Sequence, residues 1–204
     1  GFVIYVSDDP GTHAGCTEQD SRYYSLLSRV PILDSSDPQD AKQLVKFAFE
    51  ASEKIQMPII LRSTTNVAHT MGVIEQEQYK VRDSQFEFEK NIPVYTTILA
   101  DREGQHHDIF KKSELLINLL DEAGYNQLDL KGKLGVIASG VSWTYLKEAL
   151  NLFDLDLSTL KVDCTNPWPK EKVEQMLNHC DKVLVLEEQD PIVENQIKQT
   201  MVDS

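Results

Sequence analysis

Four short runs in this chain each close on a polar stretch, and that recurrence limits the folds open to it. Phe2 to Val6 gives way to Asp8-Asp9-Pro10, and Ile59-Ile60-Leu61 to Arg62-Ser63-Thr64-Thr65. Leu134 to Ala138 ends at Ser139-Gly140, and Lys182 to Leu186 at Glu187-Glu188. Runs of this length read as strands, and the segments between them repeat their apolar residues at helical spacing. Alternating strands and helices predict an α/β protein with open, mostly parallel sheets. In such a sheet the helical crossovers bring the carboxyl ends of the strands to one rim, where ligands bind.

Helix signals fit the same plan. A helix is predicted over about 18–28, then a short extended piece at Pro31–Leu33. Asp37-Pro38, with Asp40 behind it, supplies an N-cap and a first-turn proline. Ala41, Leu44, Val45, Ala48 and Phe49 then fall on one helical face. A helix over about 102–123 carries Ile109, Leu115, Leu116, Leu119 and Leu120 and closes at Gly124. From about Met71 to Asn91 the periodicity lapses, with Glu75-Gln76-Glu77-Gln78 and a Phe86-Glu87-Phe88-Glu89 alternation, which predicts a surface linker. The resulting division is 1–72, a linker with a helix at 73–130, and a second α/β unit at 131–204. The Phe2–Val6 run is expected to be covered on both faces. Because the chain opens on it without a Met, part of the first sheet is expected upstream.

A formal charge of −13 argues against unaided binding to nucleic acid or anionic membranes, both of which need Lys/Arg arrays. No apolar run approaches the roughly 20 residues of a membrane helix. Cys16, Cys164 and Cys180 form no C-x-x-C pair, which fits a reducing, cytoplasmic setting and provides no thiolate metal cage. Neither G-x-x-x-x-G-K-[ST] nor G-x-G-x-x-G occurs, so no nucleotide loop of those kinds is supported.

The densest cluster of chemistry is Asp8 to Arg22, where six charged or imidazole side chains occupy fifteen residues. Candidate pocket residues there are His13, Glu18, Asp20 and Arg22; at the second rim they are Arg62, Thr64, Thr65 and His69. His13 and His69 either serve chemistry or are hydrogen-bonded to loop backbone. Arg22 and Arg62 either grip a ligand carboxylate with two parallel bonds or form internal salt bridges to Asp20, Glu18 or Asp8. Glu187-Glu188 is either a solvated terminus or a helix-capping anchor. Cys16 reads as an incidental thiol, and the His106-His107 pair lacks the further ligands a metal needs.

Asp8-Asp9-Pro10-x-x-His13 with Glu18-Gln19-Asp20-Ser21-Arg22 resembles the signature of the large subunit of indolepyruvate:ferredoxin oxidoreductases, thiamine-diphosphate-dependent enzymes of 2-oxoacids. Leu33-Asp34-x-x-Asp37-x-Gln39-Asp40-Ala41, Pro58-x-x-Leu61-Arg62-x-Thr64-Thr65, Leu134 to Val141 and Val185 to Glu188 resemble the same family in the same order. The chain departs from the family pattern at Ala14-Gly15-Cys16-Thr17, in place of Ser-Ser-Gln-Asn, and at Asn66, in place of an Arg.

The resemblance implies that 1–72 is the latter part of a pyrimidine-binding thiamine-diphosphate domain and 131–204 a transketolase C-terminal-like domain. It implies an oxidoreductase that decarboxylates an arylpyruvate to the acyl-CoA and passes electrons to ferredoxin. A pyruvate or branched-chain 2-oxoacid enzyme, or a non-catalytic assembly module, is the alternative. Thiamine diphosphate, Mg2+ and 4Fe-4S clusters are implied for the complete enzyme, with coenzyme A, a smaller partner subunit and a homo-oligomer. The glutamate that activates the cofactor is expected upstream, and the diphosphate motif and clusters downstream. The isolated chain is therefore expected to be inactive and to hold none of these groups.

Overall fold

The structure is a computed structural model that describes residues 1–78, 90–96 and 101–203. The Phe86–Glu89 alternation lies outside the described residues. The first sheet begins with β1 (Val3–Asp8), followed by α1 (Arg22–Ser28), β2 (Ile32–Asp34), α2 (Pro38–Ile55) and β3 (Ile59–Thr64). Two short helices, α3 (Thr65–Ala68) and α4 (Ile92–Tyr95), precede the long α5 (Arg102–Glu122). The second sheet is built from β4 (Leu128–Asp129), β5 (Leu134–Ser139), α6 (Val141–Leu152) and β6 (Leu157–Val162). The chain continues through β7 (Cys164–Asn166), α7 (Lys170–His179), β8 (Lys182–Leu186) and α8 (Ile192–Asp203).

Strand order is β1-β3-β2-β7 in one sheet and β4-β6-β5-β8 in the other. The β1–β3, β3–β2, β6–β5 and β5–β8 pairs are parallel; β2–β7 and β4–β6 are antiparallel. The α/β prediction of two mostly parallel sheets therefore holds. What periodicity did not reveal is β7, whose three residues are too few to show an alternation. It carries chain from the second half into the first sheet, where Leu33 faces Cys164.

α2 starts where its cap predicts: the Asp37 carboxylate accepts from the Asp40 amide at 2.9 Å, and Pro38 occupies the first turn. Its buried stripe is Leu44, Ala48, Ala51 and Ile55, packed with Leu61 and with Leu116 and Leu120 of α5. Val45 and Phe49, assigned to that face from sequence, are exposed on its flank. The helix expected from Glu18 begins only at Arg22, because 18–21 is held in a loop by side-chain bonds. Gly124, with φ +80°, takes the left-handed turn just beyond α5.

Among the described residues β1 is an edge strand paired with β3 alone, and Phe2 and Tyr5 are 63% and 61% exposed, so the cover expected on both of its faces is not supplied by these residues. On α8, Val193 and Ile197 are buried and Met201 is exposed.

Candidate functional site

Parallel pairing of β1 with β3 sets Val6 beside Arg62 and Asp8 beside Thr64. The acidic loop after β1 and the Arg-Thr turn at the end of β3 therefore lie side by side. Each end of the loop is fixed by one of two adjacent aspartates. Asp9 accepts from the backbone amides of His13 (3.0 Å), Ala14 (2.8 Å) and Gly15 (2.5 Å) and from the Thr65 hydroxyl (2.7 Å). Asp8 accepts from the Ser21 amide (2.8 Å), the Ser21 hydroxyl and the Arg62 Nε (2.5 Å). Glu18 closes the loop on itself, its carboxylate accepting from the Gly11 amide at 3.1 Å.

The Thr65 hydroxyl bond is the largest influence on Asp9; burial opposes it, and the three amides reinforce it, leaving a pKa of about 2. The linkage sign follows from that depression. The Asp9 contribution to loop order is complete above the ordinary aspartate value and is lost as pH falls through about 2. Amide shifts of Ala14 and Gly15, followed by NMR, should titrate with a midpoint near 2. A midpoint at the ordinary 3.8 would mean that these amides do not hold the carboxylate.

His13 is exposed, and its Nδ1 lies 2.5 Å from the Pro10 carbonyl. A carbonyl only accepts, so Nδ1 donates in this contact and Nε2 faces away from it. Gly11 permits this placement: its φ is +73°, and a Cβ there would meet the His13 ring at 2.9 Å.

Beneath the loop lies a buried charge cluster that joins the two sheets. Arg62, 1% exposed, donates Nε to Asp8, Nη1 to both oxygens of Asp34 (3.0 Å each) and Nη2 to Gln189 (2.6 Å). Arg22, also 1% exposed, is bidentate to Asp20 (2.8 and 2.6 Å) and reaches Glu187 (2.8 Å) and the carbonyls of Glu188 and Asp190. Burial alone would lower both guanidinium pKa values, but the bond to Asp20 raises that of Arg22 and the charge of Asp34 that of Arg62. Both stay ionised. Four carboxylates (Asp8, Asp20, Asp34, Glu187) face two guanidiniums. The excess negative charge is met by backbone donors, including the Val193 and Glu194 amides at the start of α8, which bond Glu187 at 3.0 Å each. Glu187 is thus a helix-capping anchor.

Of the predicted residues, Asp20, Arg22 and Arg62 meet in this cluster, and the Thr65 hydroxyl lies beside it, 3.2 Å from the Asp8 carbonyl and 2.7 Å from the Asp9 carboxylate. Both arginine forks are filled from within the protein, which is the internal salt-bridge reading. Thr64 is fully buried, and its hydroxyl has no hydrogen-bond partner among the described residues. His13 and Glu18 stand exposed on the loop above. His69 is exposed at the end of α3, its amide on the Thr65 carbonyl, and is not part of the hydrogen-bonded set. Asn66 donates to Glu188 Oε1 at 2.5 Å, and Glu188 Oε2 has no hydrogen-bond partner among the described residues. Sequence reasoning missed Asp9, Asp34 and Gln189. Asp9 was legible as an aspartate ahead of a Pro-Gly turn, whereas nothing local marks the other two as partners of Arg62.

No group of three or more His, Cys, Asp or Glu side chains among the described residues is arranged to hold a metal. No described helix is long and apolar enough to cross a membrane.

Residues 126–204 match the family model described as an indolepyruvate oxidoreductase domain. The chain is 36% identical over 200 residues to indolepyruvate oxidoreductase subunit IorA of Methanothermobacter thermautotrophicus, an alignment covering 97% of this chain and 32% of the relative. The same-named subunit of Thermococcus kodakarensis is 35% identical over 206 residues, with 97% and 32% covered. The chain thus spans about a third of the length of the curated relatives it matches. Among solved structures, a 2-oxoglutarate:ferredoxin oxidoreductase from Magnetococcus marinus aligns with a TM-score of 0.66 at 15% identity, over 98% of this chain and 43% of that one. A split-gene transketolase, an inactive β4 tetramer, aligns with a TM-score of 0.55 at 14% identity, over 99% and 53%. These two likenesses concern the fold.

Proposed function

We propose, for a chain that aligns over nearly its whole length with part of the indolepyruvate oxidoreductase subunit IorA, that it is one part of a 2-oxoacid:ferredoxin oxidoreductase acting on an arylpyruvate. The observation that carries this reading is the coincidence of that alignment with one rim, where the acidic loop and the Arg-Thr turn share hydrogen bonds. Residues 1–72 would form the latter part of a pyrimidine-binding domain, and 131–204 a transketolase C-terminal-like domain. The relatives are named as subunits, which supports an enzyme of more than one polypeptide. Ferredoxin, coenzyme A, a smaller subunit and a cytoplasmic setting complete the proposal.

The rim suits the pyrimidine end of thiamine diphosphate better than its diphosphate. It offers the Thr64 hydroxyl, buried and without a hydrogen-bond partner among the described residues, the Thr65 side chain, and the ring of His13. Its cationic groups are already taken by carboxylates, so a diphosphate and Mg2+ would be held elsewhere in the complete enzyme. The cofactor, when bound, supplies carbanion chemistry at the keto carbon. In this reading the chain binds and orients: Glu18, His13 and His69 would face the bound cofactor or substrate, with Asp20, Arg22 and Arg62 as the support behind them.

The test is an assay of the complete enzyme for CoA-dependent ferredoxin reduction with indolepyruvate, pyruvate and a branched-chain 2-oxoacid. The expected result is a kcat/KM for indolepyruvate at least tenfold above the others. A preference for pyruvate would overturn the substrate assignment, and inactivity with all three the enzyme class. The 204-residue chain alone should show no calorimetric binding of thiamine diphosphate with Mg2+; a micromolar Kd would contradict the placement of those sites elsewhere.

A further inference from the structure

A charge cluster that supports a loop needs a contact that sets the distance between them. We infer that Gln189 is that contact, a positioning residue that fixes the far end of the 9–20 loop against Arg62. Its side chain spans elements remote in sequence. Oε1 accepts from Arg62 Nη2 at 2.6 Å, and Nε2 donates to the Gln19 carbonyl at 2.5 Å. Gln19 directly precedes Asp20, Ser21 and Arg22, the residues that bind Arg22, Asp8 and Glu187. The loop is therefore tied at its start by Asp9 to Thr65, and at its end both by Ser21 to Asp8 and by Gln189, which joins Gln19 to Arg62.

Two features separate this from ordinary packing. The donor and acceptor demands fix the chemistry: a carboxylate at 189 would accept from Arg62 but could not donate to Gln19, and an ammonium could donate but not accept. A neutral amide also adds no fifth carboxylate to a cluster already richer in anions than cations. Second, Gln189 has φ +66°, in the left-handed region that a long side chain disfavours. Glycine would suit that backbone better, so the two side-chain bonds are made at a position where the backbone itself disfavours a long side chain.

The inference rests on the reading of 9–22 as a pocket wall, and its test has two arms. Hydrogen exchange would compare the 204-residue chain with Gln189→Gly, which frees the backbone and removes the amide, and Gln189→Met, which keeps length and removes both bonds. Protection of the Ser21 and Arg22 amides should fall at least tenfold in both variants, while amides of β3 and β5 change less than twofold. Unchanged protection in either variant, or a uniform fall across both sheets, would overturn the role. In the complete enzyme, Gln189→Met should raise the KM for the 2-oxoacid at least fivefold with kcat within twofold. Lost loop protection with KM unchanged would leave Gln189 as the contact and remove the wall from the substrate site, so the two readings fail separately.

Discussion

Replacing Arg62 by Met should destabilise the protein by about 3–5 kcal/mol, the cost of stranding buried carboxylates. Asp8 and Asp34 are 2% and 1% exposed, and both take their charged hydrogen bonds from this one guanidinium. Met matches much of the stem but offers no donor. Asp8 would keep its bonds from Ser21, whereas Asp34 would lose both of its bonds from Arg62 Nη1. Urea unfolding, with ΔG extrapolated at constant slope, measures the loss. Adding Asp34→Asn to Arg62→Met should recover part of it, since the amide removes one stranded charge. A loss under about 1 kcal/mol for the single change would mean that water reaches the cluster and screens it, as at a surface pair.

The second large effect should come from Lys161→Met, with a penalty of similar size that depends on pH. Lys161 lies in β6, 7% exposed, with Asp40 of α2 at 2.9 Å and Asp163 on its other side. Burial pushes the Asp163 carboxyl above the ordinary aspartate range even though Lys161 pulls it down. Without the lysine, burial acts unopposed by that charge and the pKa rises further. A carboxyl whose folded pKa exceeds its unfolded one binds a proton more readily when folded, so stability rises as pH falls toward that value. The penalty should be full at neutral pH and shrink in mild acid. A pH-independent penalty would show that Asp163 keeps its charge without the lysine. In the unmodified protein Asp163 and Asp40 raise the Lys161 pKa against burial, so the ammonium is lost only as pH climbs past the lysine's folded value, whereas on the acid side the pair ends when Asp163 takes up its proton.

Local signals gave the architecture, and long-range partners stayed hidden. Asp37-Pro38 announced α2 because a cap and a proline act within a single turn. Leu44 and Ala48 followed from the period, but Val45 and Phe49 did not, because the buried stripe is set by where the sheet and α5 meet the helix. The rim was legible because parallel register sends both polar runs the same way. The fate of its arginines was not: Arg22 finds Glu187 165 residues along the chain, and Arg62 finds Gln189 127 residues along. No spacing rule spans such distances, and the choice between ligand clamp and internal bridge depends on them.

β7 has a further consequence for how the molecule comes apart. Its antiparallel ladder with β2 stitches the second half of the polypeptide into the first sheet, and the chain then returns through α7 to place β8 in the other. Peeling the halves from each other must therefore break main-chain bonds and not merely slide one surface over another. The joint behaves as a seam rather than a hinge, and heat or denaturant should find one melting event where an ordinary pair of lobes would show two.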